Sequence, residues 1–111
     1  MFGFGGTKHK EVSAAELRDM LASGTVLLVD VREAEEFASE RIAGAVNMPL
    51  SAFQPSLLPD AGGKLVVLQC AGGKRSGMAL DKCAAAEAVI ETHLAGGIGA
   101  WKSAGFPVEQ G

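Results

Sequence analysis

Two hydrophobic patterns alternate along the chain. Short apolar runs, which are typical of buried strands, are separated by stretches in which apolar residues recur every three or four positions, as on one face of a helix. The predicted strands are Val26–Asp30, Ala45–Asn47, Leu65–Gln69 and Val89–Leu94. The predicted helices are one that Ser13 caps and Gly24 ends, then Glu33–Arg41, Ser76–Ala88 and Gly97–Ser103, with one or two helical turns between Ser51 and Leu58.

The order of these elements predicts an α/β fold. Strands that alternate with helices favour a mainly parallel sheet, because each parallel connection needs a crossover that a helix usually provides. Helices then cover both faces of the sheet, in three layers. Binding sites in such folds lie at the carboxyl ends of the strands. Cys70 stands directly after the predicted strand Leu65–Gln69 and therefore belongs to that edge.

Composition and charge narrow the class of protein. The 111 residues suffice for one domain with a single core, and 48% apolar against 21% charged residues is ordinary for a globular protein. A formal net charge of -3 disfavours a general binder of nucleic acid or of anionic membranes. No apolar run approaches a membrane span, and the N-terminus lacks the features of a signal peptide. We expect a flexible leader over residues 1–10, one domain over residues 11–111 and a cytoplasmic location.

The two cysteines are expected to be free thiols, as in a reducing compartment. Cys70, Cys83, His9 and His93 contain no closely spaced pair of ligands, so we expect no zinc and no other cofactor. Cys83 lies some way into a predicted helix, on the order of 10 Å beyond Cys70 at ~1.5 Å of rise per residue. A disulfide needs Cα atoms within about 7 Å of each other. Cys83 is therefore predicted to be a core residue.

The segment Cys70–Ser76 carries the candidate chemistry. The thiolate is the reactive form of cysteine, and this segment offers several ways to stabilise it. Gly72 and Gly73 allow successive backbone N–H groups to turn inward. Lys74 and Arg75 supply positive charge, and a helix that starts near Ser76 directs the positive end of its dipole at the loop. We predict that Cys70 is a nucleophile and that the substrate-binding residues are Ala71, Gly72, Gly73, Lys74, Arg75 and Ser76.

Several of these polar residues also have a purely structural interpretation. Arg75 closes the loop and is predicted to brace it or to orient substrate, whereas for Lys74 a substrate contact and a solvated surface charge stay equally open. Ser76 is predicted to cap a helix rather than to donate a proton. Asp30 is predicted to form a structural contact with Arg32. His93 has no carboxylate or thiol partner nearby in the sequence and is predicted to be structural or exposed at an edge.

Three separated segments resemble, in order, the signatures of the rhodanese homology domain. The first comprises Leu28–Glu33, Glu36-Phe37 and Ile42–Pro49, the second is Cys70–Ser76, and the third comprises Leu94–Trp101 and Gly105–Val108. The resemblance covers the chain from about Glu11 onward. It departs from the family pattern at Glu40-Arg41, where Gly-His is frequent, and at Glu87, where a helix-ending glycine is common.

The resemblance implies a five-stranded α/β domain with sulfurtransferase activity. Cys70 would take the outer sulfur of a donor such as thiosulfate, become a persulfide and pass the sulfur to a thiol or cyanide, or to an acceptor protein. A non-enzymatic persulfide carrier or partner-binding module remains an alternative. A cysteine-based phosphatase or arsenate reductase is disfavoured, because such phosphatases resemble Cys-x5-Arg, whereas four residues separate Cys70 from Arg75. A shorter loop encloses a smaller site, suited to one sulfur atom.

Overall fold

A computed structural model describes residues 9–111, and its centre is a parallel sheet of five strands. In chain order these strands are β1 (Lys10–Val12), β2 (Val26–Asp30), β4 (Val46–Asn47), β5 (Leu65–Gln69) and β6 (Thr92–Leu94); two further strands, β3 (Glu40–Arg41) and β7 (Glu109–Gln110), form a separate antiparallel pair. The order across the sheet is β1-β6-β5-β2-β4, with every neighbouring pair parallel. The predicted α/β architecture is confirmed.

Helices cover both faces of the sheet. They are α1 (Ala14–Ser23), α2 (Ala34–Ser39), α3 (Lys74–Ala85) and α4 (Gly97–Ser103), with two 3₁₀ turns at Leu50–Ala52 and Pro55–Leu57. On one face, α1 and α4 bury Ala14, Leu17, Ile98 and Trp101 against Leu28, Val67 and Leu94. On the other face, α3 buries Ala79, Leu80 and Cys83 against Val29 and Leu68. Cys83 is thus a core residue, as predicted, and among residues 9–111 every helix is too short or too polar to span a bilayer.

Local sequence signals place several element ends. The Ser13 hydroxyl accepts the Glu16 N–H at 3.1 Å and the Glu16 carboxylate accepts the Ser13 N–H at 2.8 Å, which completes the capping box at the start of α1. Gly24 ends the helix with φ of 69°. Glu87, where the family often has glycine, also takes a positive φ of 59°, so the carboxylate side chain replaces the more permissive residue at a left-handed position.

The amino-terminal boundary of the domain differs from the prediction. The leader was expected to include Lys10, but Lys10 begins β1, pairs in register with Thr92 and donates its N–H to the Glu91 carbonyl at 2.7 Å. Residues 1–8 of the predicted leader lie outside the described residues. A strand of three residues, two of them exposed, offers no hydrophobic pattern to detect, which explains why the sequence did not reveal β1.

Several predicted elements have different ends: α3 spans Lys74–Ala85 instead of the predicted Ser76–Ala88, and two other elements are changed by strand pairing. The predicted helix Glu33–Arg41 stops at Ser39, because Glu40 and Arg41 pair with β7. The predicted strand Val89–Leu94 begins only at Thr92, and Val89 is 95% exposed. In both cases pairing with a distant segment decided the boundary, and that pairing leaves no trace in the local pattern.

Candidate active site

Cys70 lies between the carboxyl end of β5 and the start of α3. Its Sγ accepts hydrogen bonds from the backbone N–H groups of Gly73 at 3.1 Å and Ser76 at 3.3 Å. The residue is 1% exposed, whereas Ala71 and Gly72 at the outer side of the loop are exposed. The segment Cys70–Ser76, called here the Cys70 loop, therefore wraps backbone donors around a largely buried sulfur atom.

Glycines allow this wrapping. Gly73 precedes the first residue of α3 with φ of 109°, a backbone conformation that side chains with a Cβ rarely adopt. Gly97, at the start of α4, approaches the loop so closely that a Cβ there would lie 2.2 Å from the Cys70 carbonyl oxygen. Next to it, Ile98 donates its N–H to the Cys70 carbonyl at 2.8 Å and Gly99 donates to the Ala71 carbonyl at 3.0 Å. The amino-terminal turn of α4 thus holds the first residues of the loop.

The hydrogen bonds to sulfur favour the thiolate. Burial of Cys70 opposes ionisation and by itself raises the thiol pKa. The Ser76 hydroxyl and the N–H groups of Ser76, Gly73 and Gly72 outweigh that effect, so the pKa of Cys70 lies below its ordinary value. A thiol with this environment ionises more readily than an ordinary buried cysteine and is suited to nucleophilic attack.

Arg75 is held by an acidic side chain of α2. Its Nη1 and Nη2 lie 2.6 and 3.0 Å from the two carboxylate oxygens of Glu36. The hydrogen bond from Arg75 is the main reason that the pKa of Glu36 falls from 4.5 to about 2. The guanidinium therefore connects the end of the Cys70 loop to α2, a bracing geometry, while Lys74 is exposed.

Asp30 and Arg32 form the structural contact that the sequence predicted. Both are buried, and the Arg32 guanidinium donates to the Asp30 carboxylate at 2.8 to 3.1 Å and to the Glu40 carbonyl at 2.7 Å. The Asn47 amide donates to the backbone carbonyls of Asp30 and Arg32 at 3.0 and 2.9 Å. These contacts fix the connection between β2 and α2, on which Glu36 stands.

The surroundings of Ser76 and His93 differ from those that the sequence predicted. Gly73, not Ser76, is the N-cap of α3. The Ser76 hydroxyl lies 3.5 Å from the Cys70 Sγ and 2.7 Å from the Nδ1 atom of His93. His93 was predicted to be either structural or exposed at an edge; it is 5% exposed, so the exposed edge is wrong and the residue is buried. Its partners are Ser76 of α3 and Glu11 of β1. The sequence signal that pointed to His93 was its place in the last predicted strand, which pairs with the strand that precedes Cys70.

A groove opens beside the Cys70 loop. It has a volume of about 380 Å³ and lies between Ala71 and α4 on one side and Arg32 and α2 on the other. Lys102 of α4 forms an ion pair with Glu40 across this groove. The groove borders the Cys70 loop at Ala71, whereas Cys70 itself does not line it. Within residues 9–111, no three His, Cys, Asp or Glu side chains are grouped so as to hold a metal ion.

Sequence comparisons agree with this geometry. The family model of the rhodanese-like domain matches residues 13–104. An uncharacterized protein of Synechocystis sp. is 44% identical over 96 residues, which cover 86% of this chain and 54% of that protein. The thiosulfate:glutathione sulfurtransferase of Homo sapiens is 50% identical over 46 residues, covering 41% of this chain and 40% of that protein. The chain spans about half the length of the curated relatives it matches, or less.

The fold leads to the same family. The crystal structure of a rhodanese-related protein from Thermoplasma volcanium superposes with a TM-score of 0.77 at 27% sequence identity, covering 91% of this chain and 98% of that chain. The shared features are the central parallel sheet of five strands and its flanking helices. With a family match that extends over residues 13–104, this chain belongs to the rhodanese-like domain family, a family of the sulfurtransferase type.

Proposed function

We propose that this protein is a sulfurtransferase that receives a sulfane sulfur on Cys70 as a persulfide and passes it to a thiophilic acceptor. The observation that carries the proposal is the Cys70 Sγ itself, to which two backbone N–H groups donate at 3.1 and 3.3 Å. The lowered thiol pKa makes the nucleophilic thiolate available. Family membership and the activity named for the human relative support sulfur transfer.

The first half of the reaction loads the sulfur. The Cys70 thiolate attacks the outer sulfur of thiosulfate, a new S–S bond forms, and the old S–S bond breaks. The bonding electron pair leaves with sulfite, so no external oxidant or reductant is needed. The terminal sulfur of the persulfide carries the negative charge, and the N–H groups of the Cys70 loop are suited to stabilise it.

The second half of the reaction discharges the sulfur. An acceptor thiolate or cyanide attacks the terminal sulfur, and Cys70 leaves as the thiolate that its hydrogen bonds favour. The groove beside Ala71 gives a small acceptor, or an exposed cysteine of an acceptor protein, a route to the loop. A cytoplasmic setting fits this chemistry, because both free thiols stay reduced there.

Phosphatase activity is the less favoured alternative. The N–H groups of Gly73 within the loop and of Ser76 just after Arg75 already point at a single sulfur atom. Arg75, which a phosphatase would need for its substrate, is paired with Glu36 at 2.6 Å. We therefore expect negligible hydrolysis of aryl phosphates.

Intact mass spectrometry tests the proposal. After exposure to thiosulfate the protein should gain the mass of one sulfur atom, with the modification mapped to Cys70. Cyanide should then remove that sulfur as thiocyanate. Many turnovers per protein molecule identify an enzyme, whereas a single discharge identifies a carrier.

The two cysteines provide matched variants for this test. Cys70→Ser should abolish loading, because a hydroxyl is far less ionised than a thiol. Cys83→Ser should load normally and lose some stability, because a hydroxyl replaces a sulfur that is 0% exposed in the core. Persulfide found on Cys83 alone, or a phosphatase rate above the thiosulfate:cyanide transfer rate, would contradict the proposal.

A further inference from the structure

A chain of polar side chains leads from the reactive sulfur into the sheet. The Cys70 Sγ lies 3.5 Å from the Ser76 hydroxyl oxygen, which lies 2.7 Å from Nδ1 of His93. The other ring nitrogen of His93, Nε2, lies 3.6 Å from a carboxylate oxygen of Glu11. Cys70, Ser76 and His93 are each no more than 5% exposed, whereas the Glu11 side chain is 59% exposed. The four residues come from the Cys70 loop, α3, β6 and β1.

The single hydroxyl hydrogen of Ser76 limits how this chain can be arranged. The hydroxyl oxygen has three polar neighbours: the Cys70 Sγ, the Gly73 carbonyl at 3.2 Å and the nearest of them, Nδ1 of His93. When Cys70 is a thiol, its S–H donates to the Ser76 oxygen and the Ser76 O–H donates to Nδ1. When Cys70 is a thiolate, the Ser76 O–H is free to donate to sulfur only if Nδ1 carries a hydrogen and donates to the Ser76 oxygen.

We propose that Ser76 relays the Cys70 proton to His93, so that the active state is a thiolate and an imidazolium joined through one hydroxyl. The proton on sulfur moves to the Ser76 oxygen while the Ser76 hydrogen moves to Nδ1. A neutral thiol and a neutral imidazole become an ion pair, and no other bond changes. His93 does not contact the reacting sulfur and acts through Ser76, and the inference rests on the proposed role of Cys70 as the nucleophile.

The surroundings of His93 suit a proton acceptor. The charged or titratable groups around it are Glu11 from β1, His9 just before β1, which pairs with Asp81 of α3 at 2.9 Å, and, beyond Ser76, Cys70. Neighbouring β5 has no charged residue, and Lys102 of α4 is paired with Glu40. Burial is the main cause that lowers the pKa of His93, which Glu11 raises and His9 lowers further. The imidazole is therefore neutral near pH 7, and its protonation depends on the negative charges that face it. Glu11 and the new thiolate then both favour the imidazolium.

Reciprocal titrations test the relay. In the parent protein, the pH dependence of Cys70 alkylation reports the thiolate, and the NMR signals of the His93 ring report the imidazolium. If the two groups share a proton, His93→Gln should raise the apparent pKa of Cys70 by about one unit, which means about tenfold slower alkylation at pH values well below that pKa. Cys70→Ala should in turn lower the pKa of His93, because the thiolate charge is gone.

Two further variants separate the relay from a structural role. Ser76→Ala should uncouple the two titrations, so that neither responds to removal of the other group. His9→Gln removes an imidazole whose ring centre lies 5.6 Å from that of His93 but that is not part of the relay, and it should preserve the coupling. The Cys70→Ala readout needs only the folded protein, so it remains decisive if His93→Gln fails to fold.

The outcomes also distinguish the relay from the proposed function. Alkylation and NMR need no sulfur donor, so a coupled pair of titrations without persulfide formation would contradict sulfur transfer and leave the relay intact. Normal persulfide formation, together with a His93 titration that Cys70→Ala does not change, would overturn the relay. His93 would then be a structural hydrogen-bond partner of Ser76.

Discussion

Arg75 and Glu36 form a two-point ion pair across the Cys70 loop and α2, with N–O distances of 2.6 and 3.0 Å. The pair joins residues that are 39 positions apart in the sequence. Both side chains are partly exposed, at 31% and 39%, so water screens their attraction. The main consequence of the pair is geometric, since it fixes the end of the Cys70 loop against its neighbouring helix.

The Arg75–Glu36 ion pair predicts that removing either side chain has the same effect on stability and on sulfur transfer. Arg75→Gln and Glu36→Gln should each lower the free energy of unfolding by about 1 kcal/mol or less and slow sulfur transfer by a similar factor, because either change releases the loop. Urea unfolding and the thiosulfate:cyanide transfer rate measure the two effects. If Arg75 instead binds the donor, Arg75→Gln will raise KM for thiosulfate much more than Glu36→Gln does.

The same pair predicts a pH dependence of stability. The folded-state pKa of Glu36 is about 2, below its ordinary 4.5, so the contribution of this carboxylate to stability is fully present above about pH 4.5 and is lost as the pH falls toward 2. The difference in Tm between the parent and Glu36→Gln should therefore be constant near neutral pH and shrink below pH 4.5. A difference that stays constant down to pH 2 would contradict this account.

The close approach of Gly97 to the Cys70 loop predicts that a change in α4 also affects the loop. The φ of Gly97 is 60°, and a Cβ would meet the Cys70 carbonyl oxygen at 2.2 Å. Gly97→Ala should cost on the order of 2 kcal/mol or more of stability and slow persulfide formation, because α4 must move away from the loop. Gly105→Ala is the matched control for backbone strain, since Gly105 has φ of 84° with open space around it. It should lose stability but keep the activity per folded molecule.

Removing the charge of Lys74 should weaken capture of the sulfur donor without changing the stability of the protein. Lys74 is exposed at the start of α3, within the Cys70 loop, in a chain with a net charge of -3. Lys74→Gln should leave Tm nearly unchanged and weaken capture of anionic thiosulfate at low salt. Added salt screens exposed charges, so it should slow the parent more than the variant. Equal salt dependence in the two proteins would show that Lys74 plays no part in donor capture.

The sequence by itself determined the parts of this protein that depend on neighbouring residues. The apolar runs Val26–Val29 and Leu65–Leu68 became two neighbouring strands at the centre of the sheet, where most of their residues are buried between the two layers of helices. Ser13 and Glu16 placed the start of α1 through contacts within one helical turn. The position of Cys70 after a strand and before glycines and a helix was equally local, and the family signatures made it recognisable.

Only the tertiary structure decided what surrounds that cysteine. Arg75 finds Glu36 across 39 positions, Ser76 finds His93 across 17, and β1 and β3 exist because distant strands pair with them. None of these contacts has a periodic signature, because each depends on how the layers pack and not on which residues are adjacent. The proposed nucleophile was therefore recognisable from the local sequence, whereas the groups that brace the loop and lower the pKa of the thiol come together only on folding.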